Sequence, residues 1–113
     1  MPYFAVRRAP GPGWNASLAM REQALWPEHA AFMNSLVEEG FVLLGGPLRT
    51  GDEILLVIQA ESSENVVKRF AQDPWASPET LKVVAVDPWN ILVGNFENAL
   101  GLSDPNQRNG RSL

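Results

Sequence analysis

The chain has no cysteine, one histidine and one tyrosine among its 113 residues. Without cysteine there is no disulfide framework, and no thiolate to act as nucleophile or soft metal ligand. A single imidazole with scattered acids does not make a metal centre, and no cofactor motif is present: no Gly-x-x-x-x-Gly-Lys phosphate loop, no Gly-x-Ser-x-Gly elbow. Positive charge is also scarce. Nine Lys and Arg stand against thirteen Asp and Glu, a net charge of −4, which argues against nucleic acid or an anionic membrane as partner. The doublet Arg7-Arg8 is too short to form a basic patch. No apolar run approaches the ~18 residues of a membrane-spanning helix, and the N-terminus lacks the apolar core of a secretion signal. A cytoplasmic protein is the expectation.

The residues present suit one globular domain. Apolar residues make up 45% of the chain and charged residues 19%, ordinary proportions for a packed core. The length suits a single domain, expected over residues 1–97. Residues 98–113 carry Ser103-Asp-Pro-Asn-Gln-Arg-Asn-Gly-Arg-Ser112, the composition of a flexible polar tail. No internal repeat is visible.

Along the domain the pattern reads strand, helix, strand, strand, helix, strand. Tyr3 to Val6 is a short strand, closed by the Pro- and Gly-rich run Arg7 to Gly13. Asn15 or Ser17 is placed to cap a first helical stretch through Leu25. Pro27 suits the start of a new helix, which ends at Gly40 in a left-handed cap. Phe41 to Leu44 is a strand running into Gly45-Gly46-Pro47. Arg49 to Asp52 is a hairpin turn leading to a strand over Glu53 to Gln59. Ser62 or Ser63 caps a second helix with Val66, Val67 and Phe70 on its apolar side, stopped by Asp73-Pro74. Leu81 to Val86 is the last strand, with Asn90 to Val93 extending or following it. This order predicts an α+β, ferredoxin-like β-α-β-β-α-β fold with an antiparallel sheet and two helices on one face. The runs Phe41–Leu44, Ile54–Ile58 and Val83–Val86 are almost continuously apolar, so these strands want cover on both faces. Two helices cover one. A homodimer packed sheet to sheet supplies the other.

His29 falls on the same helical face as Phe32, Met33, Leu36 and Val37. A polar ring on a core-facing stripe needs a partner, since an unpaired buried polar group costs about 1–3 kcal/mol. Asp73, in Asp73-Pro74-Trp75, is the candidate. A carboxylate at a helix C-terminus is itself unfavourable by about 0.3–1 kcal/mol, so it too wants a cationic or N–H donor. Such a pair suits general acid–base chemistry, the carboxylate fixing the imidazole tautomer and stabilising the imidazolium. The same residues equally make a buried structural clasp. Trp26, Trp75 and Trp89 are candidate aromatic walls, or simply core and interface. Arg21 could bind a substrate carboxylate or phenolate, or pair with a surface acid. Gly46 and its neighbours allow close backbone approach to a ligand, or mark a bulge or strand end.

Taken in order, Arg21-Glu-Gln, Trp26-Pro-Glu-His29-Ala-Ala-Phe-Met33, Leu44-Gly-Gly-Pro-Leu48, Asp73-Pro-Trp75 and Pro88-Trp89 resemble the YCII-related (YciI-like) family over about residues 3–94. The resemblance implies a ferredoxin-like dimeric α+β barrel and a site pairing His29 with Asp73. Some family members are linked to lyase-type dehydrochlorination in aromatic breakdown. The expectation is cofactor-independent lyase or isomerase chemistry on a small aromatic or cyclic molecule, with His29 and Asp73 catalytic. Arg21, Trp26, Met33, Gly46, Pro47 and Trp75 would contact the substrate. The competing expectation is a non-catalytic small-molecule-binding or accessory dimer using the same pocket.

Overall fold

The computed structural model of the protein describes residues 1–49, 53–95 and 113. Positions 50–52 of the expected hairpin turn lie outside the described residues, as does the expected tail apart from Leu113. Four strands, β1 (Tyr3–Pro10), β2 (Val42–Pro47), β3 (Ile54–Gln59) and β4 (Leu81–Trp89), form one sheet in the order β2-β3-β1-β4. Every neighbouring pair is antiparallel. Two helices, α1 (Trp26–Glu38) and α2 (Ser63–Phe70), connect them. The α+β, ferredoxin-like fold is thus the one expected.

Inward-facing Phe4 and Val6 of β1 pair across with Ile58 and Leu56 of β3. Met33 and Leu36 of α1 and Val66 and Phe70 of α2 close over them in a continuous apolar core. Both helices end where local chemistry says they should. Ser62 accepts the Asn65 N–H at the start of α2, the expected cap. Gly40 takes φ +80° after α1, with Phe41 N–H donating to Leu36 O and Gly40 N–H to Val37 O, the paired bonds of a Schellman ending.

Three elements differ from expectation. First, β1 does not stop at Val6 but continues to Pro10, paired with Leu81. Period-two alternation carries on through the charged doublet, turning Arg7 outward and Arg8 inward. Gly11 and Gly13 then donate to Thr80 O and Glu79 O, and a Cβ at either glycine would collide with the Pro78–Glu79 backbone. Second, the stretch 15–25 holds no α-helix, only a 3-10 turn at Met20–Glu22. Asn15 Oδ1 takes the nearby Ser17 N–H instead of capping a helix, a local bond that competes with helical geometry. Leu25 adopts φ +65°, which breaks any continuation into α1. Third, β2 takes in Gly45-Gly46-Pro47 and β4 runs through Pro88-Trp89. Asn90 to Val93 therefore follows the strand.

Candidate acid–base site

Three polar side chains meet at one end of the core, each delivered by a different element. Arg8, Asp73 and His29 are 2%, 3% and 4% exposed. His29 stands in the first turn of α1, its N–H bonded to Leu25 O. Arg8 is the next inward position of β1 after Val6. Asp73 follows α2, in a turn where its own Oδ1 accepts the Trp75 N–H at 2.9 Å, a bond that Asp favours in turns.

The carboxylate is the hub. His29 Nδ1 lies 2.9 Å from both Asp73 oxygens, and Arg8 Nη1 donates to Oδ2 at 2.9 Å. Burial by itself would raise the Asp73 carboxyl. The hydrogen bonds from His29 and the Trp75 N–H, with the charges of His29 and Arg8, outweigh it and hold the group below its ordinary value. The Arg8 guanidinium is pulled down by burial, against the opposing charge and hydrogen bond of Asp73; an arginine nonetheless stays cationic. An ionised carboxylate only accepts hydrogen bonds, so His29 Nδ1 carries a proton in either charge state, and in the neutral ring Nε2 offers the lone pair. Among the described residues Nε2 has no hydrogen-bond partner, and Arg8 Nε is fully buried without one.

Aromatic rings fix the imidazole from the side. Trp75 stacks on His29 with centroids 3.8 Å apart and planes 7° from parallel. Its indole Nε1 donates to Ala24 O at 2.7 Å, tying the ring to the segment before α1. Trp26 lies 5.7 Å from both His29 and Trp75, and Trp14 meets Trp75 edge-on at 6.0 Å. Gln23 braces the loop above through bonds to Asn15 and Leu18.

Of the residues singled out from sequence, the structure brings His29, Asp73, Trp26 and Trp75 together. Met33 is buried, its Sδ 3.9 Å from Arg8 Nη1. Arg21 sits 5.7 Å over the Trp26 ring, outside the buried cluster. Pro47 shares a row across the sheet with Ile54 and Arg8, one strand removed from Arg8. Gly46 belongs to the next row, which faces away from the helices. The close approach in β2 is at Gly45, where a Cβ would collide with Leu56, so sheet packing rather than a ligand demands that glycine. Trp89 pairs with Tyr3 on the outer face, far in register from Arg8. Arg8 itself and Trp14 are the residues that sequence reading missed. The signal for Arg8 was the unmet demand of Asp73 for a cationic partner.

Comparison with known proteins bears on this arrangement. The sequence model of the YCII-related domain matches residues 8–90, well over half of the chain. One similar solved structure is a 5-chloro-2-hydroxyhydroquinone dehydrochlorinase from Burkholderia phenoliruptrix AC1100, in complex with 2,5-dihydroxybenzoquinone. The two share 21% identity with a TM-score of 0.55, over 81% of this chain and 95% of that one, a likeness of fold. Among curated proteins no match was found. No helix among the described residues is long and apolar enough to cross a membrane.

Proposed function

Because the chain belongs to the YCII-related family, we propose that it is a small cytoplasmic enzyme that moves a proton on a compact aromatic or cyclic molecule, without a cofactor, as a lyase or isomerase. One observation carries this reading: His29 Nδ1 is held by the Asp73 carboxylate while Nε2 has no hydrogen-bond partner among the described residues. That is the arrangement a general base requires, with one nitrogen oriented and the other unpartnered. In an elimination, Nε2 takes the proton from carbon, the C–H electron pair becomes the new double bond, and the leaving group departs with its own pair. Asp73 stabilises the imidazolium, which then gives its proton to product or solvent. The fold neighbour is a dehydrochlorinase, an activity of this kind.

Trp26 is the candidate wall against which a planar substrate lies, and Arg21 beside it the candidate counter-ion for a phenolate or carboxylate. Met33 and Trp75 support the site from behind; Gly46 and Pro47 enter only as a distant rim. The second half of the reading is a homodimer. The face of the sheet away from the helices carries Leu44, Leu55, Val57 and Trp89, with Leu44 and Trp89 exposed, and a second copy's sheet is the cover we assign, closing a barrel.

The test is turnover of chlorinated and unchlorinated hydroxyhydroquinones, followed by chloride release and quinone absorbance. Native protein should turn over at least one, and His29→Gln should lose activity while keeping its fold. Undiminished turnover in His29→Gln sinks the proposal. The alternative, a non-catalytic binding or accessory dimer, is favoured by the near-complete burial of His29, which suits a structural clasp. Asp73→Asn leaves Arg8 without its counter-ion and so lowers stability under either reading; the two separate on turnover by the folded fraction, which only an enzyme has to lose.

A further inference from the structure

Asp73 is shared by two groups that can be cationic, and the consequence for His29 follows from counting charge. With Arg8 positive and Asp73 negative, the buried cluster sums to zero when His29 is neutral. Protonating His29 then leaves one uncompensated positive charge in a region where all three side chains are almost fully removed from water. Without Arg8 the count reverses: the imidazolium becomes the only counter-ion of the carboxylate, and the neutral ring leaves a buried negative charge. A buried charge without a partner is strongly disfavoured.

We propose that Arg8 is a positioning residue that keeps His29 neutral and proton-accepting at Nε2 by taking up the charge of Asp73. The inference rests on the dyad reading above and adds what the dyad alone lacks. A lone His–Asp pair at this burial would favour imidazolium, a poor base. The geometry fits the role. Arg8 Nη1 takes Oδ2, and the Trp75 N–H takes Oδ1, so each oxygen is satisfied from a second side while Nδ1 stays centred between them. Arg8 cannot swing away, because its guanidinium carbon lies 4.7 Å over the Phe70 ring and Ile54 and Val83 flank it across the sheet.

Arg7, the neighbour on β1, points outward and pairs with Glu53 at 3.7 Å. Asp87 on β4 lies opposite Ala5 on the outer face. Glu28 on α1 is exposed. Arg21 lies beyond Trp26, and its charge acts in the same direction as that of Arg8. The N-terminal end of α1, with His29 in its first turn, also disfavours a positive ring.

The test uses the chain's one imidazole, whose nitrogen and carbon NMR shifts are followed against pH in native protein, Arg8→Gln, Arg8→Lys and Asp73→Asn. Arg8→Gln should move the titration midpoint of His29 upward by about 1–3 units, the span for gaining or losing a close charge. Arg8→Lys should bring it back toward native, and Asp73→Asn should move it down. A midpoint that does not rise in Arg8→Gln overturns the role of Arg8. If it is also indifferent to Asp73→Asn, the dyad itself is gone, so the two failures are distinct. Should Arg8→Gln not fold, the guanidinium resonances of Arg8 in native protein replace it: they must shift in step with the imidazole titration, and static signals overturn the inference.

Discussion

Val6 and Arg8 are successive inward positions on one strand, yet they belong to opposite kinds of interior. Around Val6 the core is apolar, packed from Phe4, Leu36, Leu56, Ile58, Val66 and Phe70. One step along, around Arg8, it is held by a carboxylate with three donors and by stacked rings. The apolar end gains from each methylene removed from water and is indifferent to pH. The polar end is all-or-none, because desolvating any of its charges is unfavourable unless the others are present. The first end gains stability in increments, and the second holds the buried titratable groups.

Asp73→Ala should break that comparison most severely, leaving Arg8 buried without a counter-ion at a cost of about 3–5 kcal/mol in chemical denaturation. Leu36→Ala, which cuts the apolar end, should cost about 2–5 kcal/mol. Acid sharpens the contrast further. The Asp73 carboxyl is held below its ordinary value in the folded state, so its contribution is fully present above the carboxylate range and is lost as pH falls through the folded value. Native protein and Leu36→Ala should therefore lose stability in parallel on acidification, whereas Asp73→Asn should lose less. Parallel curves for all three would remove the distinction between the two ends. Ser62→Ala, which cuts only the α2 cap, should cost about 1 kcal/mol at any pH.

What could be read from sequence follows the same division. The helix ends at Ser62 and Gly40, the strand order and the inward His29 all rest on local chemistry and periodicity, and each is present in the structure. The burial of Arg8 was not legible, because a charged doublet before Pro-Gly has the composition of a loop. Asp73, 65 residues away, makes that position habitable for a charge. The helix expected before Leu25 failed for a different reason. The capping residue Asn15 found a shorter-range acceptor role, and Leu25 turned left-handed. Polar side chains with several local options are where reading by pattern is weakest.

The spacing of the three site residues along the chain carries a consequence for how the protein comes into being. His29 and Arg8 reach Asp73 across 44 and 65 residues, contacts that close only after both halves of the chain have met. Neither charge can leave water before the other arrives. The apolar stripe around Val6 also draws on distant residues, Val66 and Phe70 among them, but it tolerates partial burial, which the Arg8 end does not. A chain cleaved before Asp73 would lack β4 as well, and with it one partner of β1. The contact of His29 and Arg8 with Asp73 is thus a mark of a completed chain.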